Sequence, residues 1–335
     1  MRKPELVCPA GGLPALKAAV DHGADTVYMG LKDAATNARN FAGLNFDLNT
    51  AREGIRYAHS KGRKVLMAIN TFAQAGEEAR WHKAIDTAAE LGVDAVILAD
   101  MGLLDYASRT HPQLRRHLSV QGSATNYEAI NLCRDLFGIQ RAVLPRVLTL
   151  AQVEHVIANT EVEIEVFGFG SLCVMVEGRC LLSSYATGES PNTAGVCSPA
   201  KAVRWVESAS GTEARLSGIL IDQYKRDEPA GYPTLCKGRF SVNEEIYYAL
   251  EEPTSLNIVS ALPDLLRIGV AAIKVEGRQR SPAYVAEVTR TLRAAIDAAC
   301  ADPARFVSKP AWDAALDKVS EGQHVTLGAY LRPWK

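Results

Sequence analysis

Apolar and polar positions along this chain repeat in a fixed order of two segment types. In each repeat an amphipathic segment ends at a glycine, and an apolar run follows after two or three residues, as in "LKAAVDHGADTVYMG" and "AIDTAAELGVDAVILAD". Glycine readily adopts the left-handed conformation that ends a helix, and a short apolar run is typical of a strand buried on both faces. The pattern therefore predicts helices that alternate with parallel strands.

Eight strands can be counted in this way, near residues 5–8, 26–31, 65–70, 95–100, 118–121, 141–145, 163–169 and 271–276. Eight such units in a chain of 335 residues favour a TIM-type (β/α)8 barrel, an α/β fold. A doubly wound open sheet is the alternative. No GxGxxG motif follows the first strand, so nothing supports the dinucleotide site typical of that fold. We therefore prefer the barrel.

The repeat is interrupted once, after strand seven. Roughly ninety residues separate this strand from the helix "ALPDLLRIG", whereas a loop between a strand and a helix usually takes about 2–6 residues. We predict a single TIM-barrel-like domain over 1–335, a cysteine-rich insertion over 170–256, and a C-terminal helix and tail over 282–335. The insertion leaves the carboxyl end of a barrel strand, which is the face where barrel active sites form.

Composition limits the binding partners and the cellular compartment that can be expected for the chain. The 37 basic and 38 acidic residues nearly cancel, which argues against tight, direct binding of nucleic acid by this chain alone. We find no signal peptide and no apolar stretch near the ~20 residues of a spanning helix, so we expect a cytoplasmic protein without a transmembrane segment. Thiols in that compartment stay reduced, and clustered cysteines there indicate metal or redox chemistry more often than disulfides.

Four of the seven cysteines lie in the insertion with the spacing C-x6-C-x16-C-x38-C, namely Cys173, Cys180, Cys197 and Cys236. Zinc sites usually contain a CxxC pair or histidine ligands. The insertion contains neither. A 4Fe–4S cluster takes four thiolates, which can come from separate loops, and we favour it. Zinc held by four thiolates, four separately buried thiols and disulfides are the alternatives. The other cysteines are interpreted as packing residues: Cys8, Cys133 and Cys300.

Polar side chains follow many of the predicted strands at the same end. They are Asn70, Thr71, Asp100, Gln121, Ser123, Asn126, Arg146, Glu165, Lys274, Glu276 and Arg278. In "IKVEGRQRS" the alternation places Lys274, Glu276 and Arg278 on one side of strand eight. We predict that Arg146, Lys274 and Arg278 bind an anionic substrate group. An internal ion network among the strand-eight residues is an equally good interpretation. No HExxH or GxSxG motif indicates a hydrolase.

Five segments resemble the family of collagenase-like peptidases. They are "CPAGGLPALKAAVDHGADTVYMGLKDAATNARNFAGLNF", "FGSLCVMVEGRCLLSSYATGESPNTAGVCSPAK", "GYPTLCKGRF", "EEPTSLN" and "IKVEGRQRSPAYV". The similarity runs nearly end to end, and the cysteine segment is its most specific part. Within the family the chain is most similar to a bacterial branch that serves ubiquinone biosynthesis, whereas other members are factors for hydroxylating RNA bases.

The resemblance implies an activity, a cofactor and partners. The activity is oxygen-independent hydroxylation of the aromatic ring of ubiquinone precursors, and the cofactor is a 4Fe–4S cluster on Cys173, Cys180, Cys197 and Cys236. The implied partners are a UbiV-like homologous subunit that forms a heterodimer and a UbiT-like lipid-binding accessory protein. A metal-containing peptidase and an RNA-base hydroxylation factor are the alternative functions. No catalytic residue beyond the cluster ligands is predicted.

Overall fold

Strands and helices alternate along the chain as the apolar pattern predicts. A computed structural model describes residues 2–33, 36, 43–173, 180–191, 196–209, 211–228, 230–322 and 324–331. Eight parallel strands close into a TIM-type barrel because the last strand pairs with both the first and the seventh. They are β1 Glu5–Pro9, β2 Thr26–Met29, β3 Lys64–Ile69, β4 Ala95–Leu98, β5 Arg115–Leu118, β6 Arg141–Val143, β7 Glu163–Ser171 and β14 Ala272–Val275.

Helices cover the outside of the barrel. They are α1 Leu13–Asp21, α2 Leu48–Ser60, α3 Glu78–Leu91, α4 Met101–Thr110, α5 Tyr127–Phe137, α6 Leu150–Ala158, α8 Leu262–Ile268 and α9 Pro282–Ala301. Three of them end at a left-handed glycine where the sequence predicts it, at Gly92, Gly138 and Gly269. Their apolar faces pack on the strands in one large core, and a second, smaller apolar cluster that includes Tyr28 and Ile97 contains only strand residues.

One predicted strand is misplaced. Strand five was expected near 118–121, but β5 spans Arg115–Leu118 and residues 120–122 form a 3-10 turn. The apolar residues that suggested the strand straddle its end. The strand itself contains Arg116, which is buried because its guanidinium donates hydrogen bonds to the carbonyls of Leu114 and Phe137. An arginine whose N–H groups bond to backbone carbonyls can lie in a buried strand. Such a strand cannot be recognised from the pattern of apolar residues alone.

The insertion after β7 has secondary structure of its own. It contains α7 Leu181–Thr187, the antiparallel strands β8 Val203–Ser208, β9 Gly211–Leu216 and β10 Ile219–Tyr224, and the hairpin β11 Phe240–Val242 and β12 Glu245–Tyr247. It returns through β13 Thr254–Asn257, which runs antiparallel to the end of β7 and places Ser255 opposite Ser171. Both ends of the insertion therefore meet at the carboxyl end of one barrel strand.

The C-terminal tail packs against this junction. After α10 Pro310–Asp317, the short strand β15 His324–Thr326 adds to β13. In the segment between α10 and β15, the Glu321 carboxylate accepts hydrogen bonds from the Lys237 ammonium at 2.6 Å and from the Ser171 hydroxyl at 2.5 Å. The tail is thus tied to the insertion and to β7. Within the described ranges, no helix has the length and apolar character needed to cross a membrane.

Candidate functional site

A cavity of about 750 Å³ opens at the carboxyl ends of the barrel strands. Its floor comes from side chains inside the barrel, its walls from the segments that follow the strands, and its outer rim from the insertion and the tail. Lining residues from these parts include Tyr28, Gln121, Cys236 and Glu321. The insertion thus completes a pocket on the face where TIM barrels build their active sites.

Two cations lie over aromatic rings in the cavity. The Lys274 ammonium is 4.0 Å from the centre of the Tyr28 ring, and the Arg146 guanidinium is 4.1 Å from that of Phe167. The Tyr28 hydroxyl donates a hydrogen bond to the Val275 carbonyl, which fixes the ring beneath Lys274. Such cation–π contacts hold a positive charge at a defined place next to an apolar surface.

The same cations also form ion pairs. Lys274 donates to the Glu165 carboxylate at 2.8 Å, and Arg146 donates to Glu276 at 2.6 Å and to the Ser171 carbonyl at 2.7 Å. Burial lowers the pKa of the Lys274 ammonium, while the charge and the hydrogen bond of Glu165 oppose this. These ion pairs join different strands and are not the internal Lys274–Glu276–Arg278 network that the sequence allowed, and their cations still line the cavity.

The three residues predicted to bind an anion are brought together. Arg146, Lys274 and Arg278 all line the cavity, with Glu276 among them. The strand ends at Val275, and Gln279 and Arg280 also line the cavity, so the alternation predicted from the sequence does not extend past the strand. Their role in binding an anionic group stays a prediction, and acidic partners already neutralise part of the charge of Arg146 and Lys274.

A buried network of ion pairs lies below the cavity, where the strands begin. Arg141 is 2% exposed and donates hydrogen bonds to the carboxylates of Glu5, Glu163 and Glu165. Glu165 itself was predicted at a strand end but is the third residue of β7, inside the barrel. Next to this network, burial and the nearby Arg141 charge hold the pKa of His117 well below its ordinary value. A neutral imidazole follows from these surroundings.

The opposite part of the cavity wall is polar but uncharged. It contains Asn70 after β3 and, after β5, Ser119 and Gln121. The Ser119 hydroxyl oxygen accepts a hydrogen bond from the backbone N–H of Gln121 at 3.2 Å, which shapes the turn. Gln121 is 8% exposed, and its side-chain oxygen Oε1 has no hydrogen-bond partner within the part of the chain that the structure describes.

All four predicted cluster ligands line this one cavity, namely Cys173, Cys180, Cys197 and Cys236. Two local contacts position them. The Cys180 sulfur accepts a hydrogen bond from the Ser183 amide at the start of α7, and the Ser183 hydroxyl donates to the Cys197 carbonyl. Burial and the charges of the other three cysteines together raise the pKa of the Cys236 thiol to about 12, against the opposing charge of Lys237. The four thiols are therefore near enough to influence one another.

The donor set fits an iron–sulfur cluster. Soft thiolates are the ligands that such clusters take, and bound iron removes the thiol protons whatever their pKa without metal. The Ser198 hydroxyl follows Cys197, lines the cavity and is 3% exposed, and its oxygen has no hydrogen-bond partner among the residues described. A buried hydroxyl of this kind suits a sulfur acceptor. Across the described ranges, no group of three or more His, Cys, Asp or Glu side chains has the arrangement of a metal-ion site. The cluster thus stays a prediction.

The remaining polar candidates have structural roles. Asp100 caps α4, Asn126 caps α5, and the Thr71 hydroxyl accepts a hydrogen bond from the Trp81 indole N–H. The packing roles of the other cysteines agree with their burial: Cys8 is fully buried and accepts from the Thr289 hydroxyl, and Cys133 also belongs to the core.

Sequence reasoning missed four residues of the site. Tyr28 and Phe167 read as ordinary apolar strand residues, and nothing in one sequence shows that a cation lies over their rings. Lys237 directly follows a predicted ligand, and Ser198 does so too. Adjacency to a ligand was the available signal for both.

Comparison with known proteins places the chain in a family. Residues 11–332 match Peptidase family U32. The chain belongs to this family. Over 97% of its length it is 29% identical to tRNA hydroxylation protein P1 of Bacillus subtilis, and over 90% it is 30% identical to tRNA hydroxylation protein P of Escherichia coli. It covers 70% and 69% of those two proteins.

A third relative acts on ribosomal RNA by its name. The chain is 30% identical over 88% of its length to the 23S rRNA 5-hydroxycytidine C2501 synthase of Escherichia coli, and it spans only 39% of that protein. It spans 65% of another relative, an uncharacterized protease of Methanocaldococcus jannaschii. The expectation that no nucleic acid is bound therefore finds no support among these relatives.

Solved structures are more distant. The U32 peptidase Mk0906 aligns with a TM-score of 0.42 at 14% identity, over 50% of this chain and 70% of that one. The dihydrodipicolinate synthase (DHDPS) of Cyanidioschyzon merolae aligns with a TM-score of 0.37 at 12% identity, over 50% of this chain and 65% of that one. The strand pairing described above establishes the barrel without them.

Proposed function

We propose that this chain is the iron–sulfur subunit of an oxygen-independent hydroxylase that modifies the aromatic ring of ubiquinone precursors, the role of UbiU. One observation carries the proposal: four cysteines of the insertion line the same cavity as the aromatic and cationic side chains of the barrel floor. Family membership and the printed names of the hydroxylation proteins support a reaction of this class.

The reaction defines what the site has to supply. Replacing a ring hydrogen by a hydroxyl group from water releases two electrons and two protons, so the site needs an electron acceptor and groups that take up protons. A 4Fe–4S cluster bound by Cys173, Cys180, Cys197 and Cys236 would pass these electrons one at a time to an external two-electron acceptor. The chain's own side chains bind and orient the ring.

The floor suits a planar ring. Ile97, Val143 and Ala68 offer apolar contact, while Tyr28 and Phe167 add aromatic surface. Lys274 and Arg146 are held above those aromatic rings by contacts with Glu165 and Glu276, so their charges keep fixed positions when the ring enters. Fixed charges stabilise charge that develops on a bound ring without having to reorganise.

The partners belong to the same proposal. We infer a UbiV-like homologous subunit and a UbiT-like accessory protein that brings the lipid-tailed precursor. The insertion presents apolar side chains for a partner to cover, since Leu181 and Tyr185, one turn apart on α7, are 81% and 92% exposed. Large exposed apolar side chains are typical of interaction surfaces when they occur together.

The cluster is tested first. The chain is purified without oxygen, and its visible and electron-spin-resonance spectra are recorded with iron and sulfide counts. We expect a brown protein with about four irons and four sulfides per chain. A colourless protein that holds one zinc ion would contradict the proposal.

The substrate is tested in cells. A strain that lacks the gene is grown without oxygen, and its quinones are measured by mass spectrometry. We expect ubiquinone to be lost and an under-hydroxylated precursor to accumulate, with both effects reversed by the intact gene. Normal anaerobic ubiquinone would rule out this substrate.

RNA-base hydroxylation is the second candidate, favoured by the names of the relatives. The same deletion strain distinguishes it, because mass analysis of its tRNA and ribosomal RNA would then show a missing hydroxylated base. A peptidase is less well supported: among the described residues, those that line the cavity include no histidine to activate a nucleophile. Digestion of casein by the purified protein would support it.

A further inference from the structure

Lys274 is a lysine of the barrel interior whose side chain reaches the cavity. It belongs to β14, lines the cavity and has a side chain that is 8% exposed. Its ammonium group has three N–H donors, and within the described part of the chain it donates one hydrogen bond, to the Glu165 carboxylate at 2.8 Å. The centre of the Tyr28 ring lies 4.0 Å from the same nitrogen. These contacts hold the nitrogen in place and leave it bonding capacity for a ligand.

The ion pairs below the cavity keep their balance when Lys274 loses a proton. The three carboxylates of this network also pair with four other cations among the described residues, and these are Arg2, Lys64, Arg115 and Arg141. Glu165, the partner of Lys274, keeps its hydrogen bond from Arg141 at 3.2 Å. No carboxylate is therefore left buried without a cation, which is the loss that makes breaking such pairs costly.

The surroundings of the nitrogen also favour the free amine. Burial lowers the pKa of the Lys274 ammonium, and the charges of Arg141 and Arg278 act in the same direction, against the charge and hydrogen bond of Glu165. A lysine that is desolvated and close to other cations exists more often as the unprotonated amine, which is the nucleophilic form. The position of Lys274 on the floor of a pocket suits attack on a bound electrophile.

We propose that the Lys274 amine is a nucleophile that forms an imine with an aldehyde or ketone bearing an anionic group. Its nitrogen bonds to the carbonyl carbon, and the carbonyl oxygen leaves as water with both amine hydrogens, so the step needs no oxidant or reductant. Uptake of one proton then makes the imine a cation. Glu165 and Tyr28, which hold positive charge at this nitrogen in the free protein, stabilise that cation in the same way. The inference goes beyond ring hydroxylation and does not depend on it.

The charge of the cavity wall favours a carbonyl compound with an anionic group. Among the described residues, five cationic side chains and two carboxylates line the cavity. Two of the cations are Arg146 and Arg278, and a guanidinium binds a carboxylate or a phosphate through charge-assisted hydrogen bonds. We expect these arginines to hold the anionic end of the compound while its carbonyl group meets Lys274.

Hydride trapping tests this inference. The purified full chain is mixed without oxygen, near neutral pH, with 4-formylbenzoate or with its methyl ester, two aldehydes of which only the first is charged. Sodium cyanoborohydride reduces an imine to a stable amine, and the labelled peptides are quantified by mass spectrometry. The exposed Lys61 is the internal standard, because it reports the reactivity of an ordinary lysine toward each aldehyde.

The expected result is a preference for one lysine and for the charged aldehyde. 4-Formylbenzoate should label Lys274 at least about tenfold more than Lys61, because more of Lys274 is unprotonated and the arginines bind the carboxylate. With the methyl ester this labelling ratio should fall about tenfold, because the charge-assisted contacts are lost. Labelling of Lys274 no greater than that of Lys61 would overturn the inference. An equal ratio for acid and ester would overturn the anionic class.

Substitutions connect the adduct to one amine. At limiting reagent, Lys274→Met should reduce the adducts seen by intact mass to the background of exposed lysines. Lys237→Met is the matched control, since Lys237 is the other lysine that lines the cavity among the described residues, and it should keep the adduct. An adduct that survives in Lys274→Met would show that the nucleophile is a different group. The labelling ratio is measured on the original chain, so the inference remains testable if a variant does not fold.

Discussion

The two ends of the barrel treat buried polar groups in opposite ways. At the end where the strands begin, Arg141 pairs with three carboxylates, of Glu5, Glu163 and Glu165. At the end where the strands finish, Ser198 and Gln121 are 3% and 8% exposed, and the described chain offers their side-chain oxygens no partner. The first end is held by charges that pair with one another, although both ring nitrogens of His117 there also lack a partner in the described chain, and the second end leaves uncharged oxygens unpaired.

This difference separates groups that stabilise the barrel from groups that await a ligand. Charges that neutralise one another inside a protein are costly to disrupt but have no capacity left for substrate. Unpaired polar groups cost free energy on folding, and a ligand or cofactor recovers it on binding. We therefore expect substitutions at the first end to change stability, and substitutions at the second end to change binding and redox behaviour.

The largest effect is expected from the thiols. Replacing Cys197 by serine should lower bound iron and sulfide by roughly tenfold or more and remove the brown colour, because a cluster needs all four soft ligands. Iron analysis and the visible spectrum measure this. Cys300→Ser, on α9 outside the cavity, is the matched control and should keep both. Full iron content in the Cys197 variant would contradict the assignment of this ligand.

The next effect tests the closed end. Arg141→Ala removes the guanidinium that three carboxylates share, of which Glu165 is fully buried and Glu5 and Glu163 are partly exposed, and should lower the free energy of unfolding by about 3 kcal/mol. Urea unfolding at pH 7 measures this. Arg109→Ala, which breaks an exposed pair with Asp105, is the control and should change little. If the two variants unfold alike, the Arg141 network does not hold the barrel together.

The same network predicts a dependence on pH. Burial acts to raise the pKa of the Glu163 carboxyl, but the hydrogen bond and charge of Arg141 outweigh it and hold the pKa below its ordinary value of 4.5. A lowered pKa in the folded state adds stability above pH 4.5, and this is lost as the pH falls through the folded value. Glu5 behaves in the same way for the same reasons.

The pH prediction is measured against the Arg141 variant. The stability gap between the original chain and Arg141→Ala should narrow as the pH is lowered from 6 to 3, because protonation of Glu5 and Glu163 removes the stabilisation that Arg141 gives their carboxylates. Urea midpoints across that range measure the gap. A gap that does not change with pH would show that the carboxylates titrate alike in the folded and unfolded chain.

The smallest effect concerns the open end. If the Ser198 hydroxyl donates to a cluster sulfur, Ser198→Ala should lower the reduction potential by about 40 mV, which corresponds to about 1 kcal/mol for one electron. Hydrogen bonds to sulfur favour the reduced, more negative cluster. An anaerobic redox titration followed by spin resonance measures this. Ser184→Ala, whose hydroxyl donates to the Cys180 carbonyl, is the control, and an equal shift in both variants would argue against a specific contact.

The barrel could be predicted from the sequence, whereas the ion pairs and hydrogen bonds of the side chains inside it could not. Regular spacing of apolar runs and glycines is enough to indicate alternating strands and helices. The predicted position of strand five was wrong because the strand contains a buried arginine. The Arg116 guanidinium donates hydrogen bonds to backbone carbonyls, and a pattern of apolar residues cannot reveal such a contact. Contact between Lys274 and Glu165 depends on the register of two strands, and these residues are separated by 109 positions.

The candidate site shows the same division. The residue types and the spacing of the cysteines indicate soft-metal chemistry, and the structure brings all four to one cavity. The sequence could not show that Gln121 would lack a partner or that Ser198 would face the cavity. Both facts depend on how the insertion folds over the barrel, because burial of a polar side chain is a property of its neighbours.

The insertion begins and ends on adjacent, hydrogen-bonded strands, since Ser171 of β7 lies opposite Ser255 of β13. Because its two ends lie side by side, the insertion can grow, shrink or be exchanged without moving any of the eight barrel strands. The barrel and its attachment can therefore change at different rates. The same barrel can in this way carry insertions that shape cavities of quite different size.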